Sequence, residues 1–269
     1  MTILDQIVAY KRVDVARRRV SVPQLVLEGR PAFNRQPLSA CDAIRRPGSM
    51  GIIAEFKRKS PSRGVINARA DVAETTQGYA RAGAACLSVL TDDAFFGGSR
   101  KDLQTARLAN PTTPILRKDF IVDPYQIIEA KALGADLILL IATCLSRKEV
   151  LILSRLAHDL GMEVLLEVHN EEELDRTLTD TVDIVGVNNR NLATFATSID
   201  TSLELIRYIP NSFIRVAESG LHDAETIIML RHAGYDAFLI GETFMKTIDP
   251  TAAMMALVVD LAICTVPEF

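Results

Sequence analysis

From residue 51 onward the chain alternates short apolar runs with longer segments in which apolar residues recur at helical spacing. The runs fall at 51–57, 85–90, 114–118, 136–141, 163–167, 183–187, 213–217 and 237–240. Between and after them the spacing predicts helices at 71–82, 101–109, 124–133, 147–160, 171–179, 199–208, 223–233 and 250–260. A sheet covered by helices needs strands that are apolar almost throughout, and Leu137-Ile138-Leu139-Leu140-Ile141 and Phe238-Leu239-Ile240 meet that need. Gly83, Gly134 and Gly234 stand where a helix gives way to the next strand, and glycine accepts the left-handed backbone that stops a helix. Eight such units predict an α/β fold, a closed (β/α)8 barrel. An open doubly wound sheet would carry G-x-G-x-x-G after its first strand, but the first run leads into Arg58-Lys59-Ser60-Pro61-Ser62-Arg63-Gly64.

The first 48 residues follow another pattern. Ile3, Ile7 and Val8 with Lys11, Arg12, Arg17, Arg18 and Arg19 predict an amphipathic helix ending at Ser21-Val22-Pro23. Pro31, Pro37, Pro47 and Gly48 then break the chain into less regular structure. Residues 1–48 are expected to form a helical extension of one catalytic domain spanning 1–269, with the basic face of the first helix turned to solvent. The length of 269 suits one such barrel. A net charge of -4, from 30 Lys+Arg against 34 Asp+Glu, makes nucleic acid a poor partner. Cys41, Cys86, Cys144 and Cys264 form no C-x-x-C pair and are expected as free thiols. With neither a leader-like start nor a membrane-length apolar run, the expected location is the cytoplasm, away from the membrane.

Candidate chemistry gathers at the ends of the apolar runs. Glu55 and Lys57 follow the first, Lys118-Asp119 the third, Glu167 the fifth, Asn188-Asn189-Arg190-Asn191 the sixth and Glu218-Ser219-Gly220 the seventh. In a (β/α)8 barrel these C-terminal ends form the catalytic face. Residues i and i+2 share a face of a strand, so Glu55 and Lys57 point the same way, as do Leu116 and Lys118. Charges at the upper edge of a barrel interior require opposite partners or a charged ligand. Ser219-Gly220 and Gly241-Glu242-Thr243 are small-residue turns where barrels often hold phosphate through backbone N–H groups. Phe95-Phe96 begins a loop whose aromatics either cover a ligand or pack the loop. His169 and His222 follow strands but are expected in structural or solvent-facing roles. No H-E-x-x-H or Cys/His ligand spacing occurs, so neither a metal nor a redox cofactor is expected.

Across nearly the whole chain these segments resemble the indole-3-glycerol phosphate synthases of tryptophan biosynthesis. The resemblance rests on Ile53–Ser62, Phe96-Gly97-Gly98-Ser99, Leu116-Arg117-Lys118-Asp119-Phe120, Leu166-Glu167-Val168-His169, Gly186–Leu192, Ala217-Glu218-Ser219-Gly220 and Leu239-Ile240-Gly241-Glu242. It implies a carbon–carbon carboxy-lyase that converts the phosphorylated anthranilate-sugar 1-(2-carboxyphenylamino)-1-deoxyribulose 5-phosphate into indole-3-glycerol phosphate, CO2 and water. By the motif match Lys118 is the general acid and Glu167 the general base, with Glu55, Lys57, Asn188 and Glu218 supporting them in the active site. Lys57 either supplies a second acid or anchors substrate charge, and anchoring is the favoured role. Arg190 is expected to meet the substrate carboxylate, and Phe96 its aromatic ring. Ser219, Gly220, Gly241 and the Glu242 backbone are expected to cradle phosphate.

Two positions depart from the family pattern. Glu242 stands where a small hydroxyl residue is frequent, and its carboxylate is expected to turn away from the phosphate. Ser62-Arg63-Gly64 is a local variant of the first loop. Another phosphosugar barrel, such as a phosphoribosylanthranilate isomerase-like enzyme, would share the phosphate turns without needing the set Glu55, Lys57, Lys118 and Glu167. A non-catalytic phospholigand-binding barrel would bind the substrate without turning it over. No obligatory protein partner is expected, and the chain is expected to act as a monomer.

Overall fold

In the computed structural model, which describes residues 2–192 and 194–265, eight parallel strands form a closed barrel. They are β1 (Ile52–Phe56), β2 (Cys86–Leu90), β3 (Ile115–Lys118), β4 (Leu137–Ile141), β5 (Glu163–Val168), β6 (Ile184–Asn188), β7 (Ile214–Glu218) and β8 (Ala237–Ile240). Each pairs with the next, and closure comes from β8 returning to β1 through Ile53 opposite Leu239. Met1, Ala193 and residues 266–269, which the single-domain expectation includes, lie outside the described residues.

Three helices precede the barrel: α1 (Ile3–Ser21), α2 (Gln24–Glu28) and α3 (Ala40–Arg45). The outer helices are α4 (Val72–Arg81), α5 (Arg100–Ala109), α6 (Pro124–Leu133), α7 (Arg147–Asp159), α8 (Glu171–Thr177), α9 (Asp200–Leu205), α10 (Ala224–Ala233), α11 (Glu242–Met245) and α12 (Pro250–Thr265). Side-chain oxygens of Asp71, Ser99, Asp123, Ser146, Asn170 and Asp223 accept from first-turn N–H groups, which sets where six of these helices begin. Gly83, Gly134 and Gly234 have φ of 94°, 91° and 117°, as expected at their junctions. The pattern missed several small elements, two of them near the ends of β1 and β8. Lys59–Ser60 pairs with Gly64–Val65 as a hairpin after β1, and the four-residue α11 stands between β8 and α12. No helix among the described residues is long and apolar enough to cross a membrane.

Strand alternation divides the core in two. Ile52, Ala54 and Phe56 face the helices, whereas Ile53 faces the barrel interior with Leu116, Leu139, Leu165 and Val216. Continuing each inward series toward the C-terminal end brings Glu55, Lys118, Glu167 and Glu218 to the mouth. The opposite end is sealed by the segment around α3, with Ala40 and Ile44 packed into the interior cluster. There Glu163 accepts from Ser39 Oγ at 2.5 Å and from Ala40 N at 2.8 Å, while Asp136 accepts from Leu38 N at 2.8 Å.

The first helix is not the solvated surface its basic run suggests. Arg12, Arg17 and Arg19 are exposed, but Lys11 and Arg18 are buried. Lys11 Nζ lies 2.8 Å from Asp92 and 2.7 Å from Asp119, just beyond the ends of β2 and β3. Arg18 pairs with Glu129 on α6, and Glu129 also accepts from the fully buried Arg117 at 2.6 Å. Arg117 closes the network on Asp119 at 2.9 Å. The helix turns this way because Leu4, Ile7 and Val15 recur at helical spacing on the face that carries Lys11 and Arg18, and the two inward cations meet carboxylates there.

Burial alone would raise the Asp119 carboxyl, yet Lys11 and Arg117 hold it well below the usual carboxylate range. Its contribution to stability is therefore complete above the unfolded-state value of about 3.9 and is lost as pH falls through the lower folded value. Lys11→Ala is expected to lower stability in urea unfolding by about 3 kcal/mol, the low end for a broken buried pair because Arg117 still faces Asp119. The acid-unfolding midpoint of the variant should also move to higher pH, as followed by circular dichroism.

Candidate active site

The inward positions at the mouth form a chain of opposite charges. Lys118 Nζ lies 2.8 Å from Glu167 Oε2 and 2.7 Å from Glu218 Oε2, which joins the ends of β3, β5 and β7. Lys57 Nζ lies 2.5 Å from Glu55 Oε1 at the end of β1. Asn188, at the end of β6, donates to Glu167 Oε1 at 3.2 Å. All six side chains line one cavity, whereas Asn189 and Asn191, the other amides expected after β6, are not part of its lining.

Environment separates the Glu167 and Glu218 carboxyls into different states. Burial alone would raise Glu167, but Lys118 and then His169 bring it below the usual carboxylate range. Glu218 moves upward, because burial and the negative charges of Glu167 and Glu55 outweigh its contact with Lys118. Lys118 is raised despite burial, since Glu167, Glu218 and Glu55 all favour the ammonium. The result is one firmly charged ammonium beside one ionised carboxylate and one carboxyl that takes a proton readily. Two titratable groups pushed apart in this way suit acid and base roles in one site.

Glycine makes room for this ring. A Cβ on Gly186 would stand 2.2 Å from Glu218 Oε1, and one on Gly241 would stand 2.5 Å from Glu55 Oε1. Gly186 lies inside an otherwise apolar strand, a sign of close approach that the sequence displayed and the strand reading did not use.

The small-residue turns face the same cavity. Ser219 (φ 68°) and Gly220 (φ 76°) carry left-handed backbone at the end of β7, and Gly241 precedes α11. For a serine such backbone is costly and is found mainly at functional sites. The Glu242 carboxylate, expected to turn away from the phosphate, is held by two arginines. It runs sideways to Arg63 Nε at 2.9 Å and Arg190 Nη2 at 3.4 Å, so two guanidiniums answer the charge that would repel a phosphate. Arg190 also donates to Phe195 O at 3.3 Å.

The cavity roof comes from distant parts of the chain. Ile3, Leu4 and Ile7 of α1 line it, which the reading of 1–48 as a plain extension missed. The paired aromatics divide their roles: Phe95 meets Tyr10 edge-on with ring centres 5.7 Å apart, while Phe96 lines the cavity 5.7 Å from Phe120. His222 also lines it and shares a 3.1 Å contact between Nδ1 and Thr243 Oγ1, whereas His169 stands behind the lining. Cys41, Cys86, Cys144 and Cys264 are free thiols, and among the described residues no cluster of His, Cys, Asp and Glu is placed to hold a metal ion.

A family model described as Indole-3-glycerol phosphate synthase matches residues 4–257. An indole-3-glycerol phosphate synthase of Bacteroides thetaiotaomicron is 46% identical over 251 residues, covering 92% of this chain and 94% of that protein. One from Burkholderia vietnamiensis is 46% identical over 254 residues, covering 94% and 97%. Among solved structures, 3-hexulose-6-phosphate synthase of Salmonella typhimurium superposes with a TM-score of 0.63 at 13% identity, covering 79% of this chain and 98% of that one. Thiamine phosphate pyrophosphorylase of Pyrococcus furiosus gives a TM-score of 0.58 at 13% identity, covering 81% and 98%. At such identities the two structures speak for the barrel fold alone.

Gly186→Ala is expected to displace the Glu218 carboxyl and lower kcat/KM by about 100-fold, the scale of a one-ångström misplacement in a catalytic site. Val185→Ala, on the outward face of the same strand, should cost stability without a comparable loss of activity. Steady-state kinetics with thermal unfolding separates the two effects.

Proposed function

The chain belongs to the indole-3-glycerol phosphate synthase family and has that carboxy-lyase activity, and from this premise we propose how its residues divide the chemistry. The reading rests on a single observation, the Lys118 ammonium held between Glu167 and Glu218 at the centre of the cavity. The substrate is the carboxyphenylamino-deoxyribulose phosphate. Its phosphate takes the backbone N–H groups of the Ser219-Gly220 and Gly241-Glu242 turns, supported by the left-handed backbone of Ser219 and Gly220 and by the Arg63 and Arg190 charges beside Glu242. Its aromatic ring takes the apolar side of the cavity near Phe96, and Arg190 and Lys57 are the cations within the cavity free to meet its carboxylate by exchanging partners.

Ring closure forms a bond between the ring carbon that bears the carboxylate and the ribulose carbonyl carbon. Electron density moves onto the carbonyl oxygen, and Lys118 donates the proton that oxygen needs. The Glu218 carboxyl, which takes a proton readily, lies 2.7 Å away and is placed to recharge the amine. Loss of CO2 from the same ring carbon restores aromaticity. Departure of the new hydroxyl as water then needs an acid at the oxygen and a base for a proton of the five-membered ring, and Glu167, kept ionised by Lys118, is that base. Lys57, tied to Glu55, anchors substrate charge. Apolar walls and the α1 roof exclude water and strengthen each of these interactions.

Appearance of indole fluorescence on mixing the protein with this substrate measures the reaction. Lys118→Ala is expected to lower kcat by about 100- to 10,000-fold while leaving the fold intact, the scale of a lost general acid. A fully active variant would remove Lys118 from that role. Lys57→Met should raise KM more than it lowers kcat, and the reverse result would assign Lys57 an acid step instead.

A further inference from the structure

Behind the base lies a cluster that the mechanism leaves unused. His169 follows β5 directly and its side chain is 11% exposed. Its Nδ1 stands 3.1 Å from Glu173 Oε2, which also accepts from the His169 backbone N–H at 2.9 Å. The other Glu173 oxygen accepts from Thr143 Oγ1 at 2.7 Å, and the Glu173 N–H donates to Asn170 Oδ1 at 2.8 Å, so α8 and the turn after β4 hold this carboxylate in place. On the far side of the ring, Nε2 is buried, makes no hydrogen bond among the described residues, and faces Glu167 Oε1 at 3.6 Å.

Nδ1 also lies 3.3 Å from Thr143 Oγ1, but that hydroxyl has a shorter bond to give to Glu173 Oε1, so both ring nitrogens are left looking at carboxylate oxygens, which only accept. A neutral imidazole has one donor and one acceptor nitrogen. With Nδ1 donating to Glu173, a neutral ring would aim its lone pair at Glu167, and only the imidazolium gives both neighbours an N–H. We propose that the Glu173–His169 pair is a positioning device for the base: a fixed cation behind Glu167 that keeps it ionised and oriented when Lys118 turns to the substrate.

The surroundings agree with a charged ring. Burial would lower the His169 pKa, but the hydrogen bond to Glu173 and the charges of Glu167, Glu173 and Glu218 raise it. Glu173 is lowered against its own burial by His169 and Thr143. The remaining groups facing Glu167 are Lys118 from β3, Asn188 from β6, Glu218 from β7 and the Cys144 thiol, which burial pushes up to about 12 and leaves neutral. Of these, Lys118 is the one other cation, and it is the group the substrate engages. His169 is outside the cavity lining, so its effect reaches the reaction through Glu167.

This inference rests on Glu167 acting as the base, and its test keeps the two apart. The base works deprotonated, so removing the cation behind it raises its pKa in the substrate complex and moves the acid-side limb of the kcat profile to higher pH. His169→Gln is expected to shift that limb up by about one pH unit, the effect of one close charge, with KM changed less than about twofold. Glu173→Gln should shift it the same way by less. Nitrogen NMR of the wild-type protein should show both His169 ring nitrogens protonated at neutral pH. A wild-type limb in His169→Gln, or a neutral ring in the spectrum, overturns the proposal. Should His169→Gln fail to fold, Glu173→Gln and the wild-type spectrum decide. Glu167→Gln, assayed alongside, is expected to be inactive; if it turns over normally, the base assignment itself has failed.

Discussion

The Lys118 ammonium, 2.8 Å from Glu167 and 2.7 Å from Glu218, ties together the upper ends of three strands that are far apart in the chain. Withdrawing such ions from water costs several kcal/mol each, so the cluster persists only where rigid elements fix its geometry. The closed sheet supplies that rigidity. It presents one inward position per strand at the mouth, above a floor of Leu116, Leu139, Leu165 and Val216 that admits no alternative partner. The glycines follow from the same constraint, since any side chain at Gly186 would occupy the place of the Glu218 carboxyl.

The N-terminal arm serves this centre from outside the barrel. Lys11 binds Asp119, the residue next to Lys118, while Ile3, Leu4 and Ile7 of the same helix cover the cavity. One helix thus supports the backbone that carries Lys118 and also supplies part of the apolar roof of its cavity. Excluding water there strengthens the electrostatic interactions by lowering the local dielectric. The segment around α3 does separate work at the opposite end, where it seals the barrel on Asp136 and Glu163.

Under the proposed function, charge balance also lets an acidic mouth accept a substrate that carries both a phosphate and a carboxylate. Glu242 stands in the phosphate turn, yet Arg63 and Arg190 engage its carboxylate, and an arriving phosphate can share the same guanidiniums. Behind the base the ordering is similar, with His169 placed between Glu167 and Glu173. In each case a carboxylate near the reaction is matched by a cation anchored on a neighbouring element.

The sequence by itself determined the barrel. Apolar runs such as Leu137–Ile141 can bury both faces only in a sheet wrapped by helices, and eight of them alternating with helical segments leave little choice of architecture. It also placed Glu55, Lys118, Glu167 and Glu218 at strand ends, because a period of two is a local property of the chain. Which partner each charge takes was decided by tertiary structure. Lys11 reads as one of several basic positions on an amphipathic helix; its spacing puts it on the stripe of Leu4, Ile7 and Val15, but its partners Asp92 and Asp119 are defined only by docking. Glu242 and His169 were legible as unusual residues, but their orientation depends on Arg63, Arg190, Glu167 and Glu173, which reach them through folding. Periodicity acts along the chain, whereas electrostatic pairing acts through space, and the second becomes defined only when the barrel has closed.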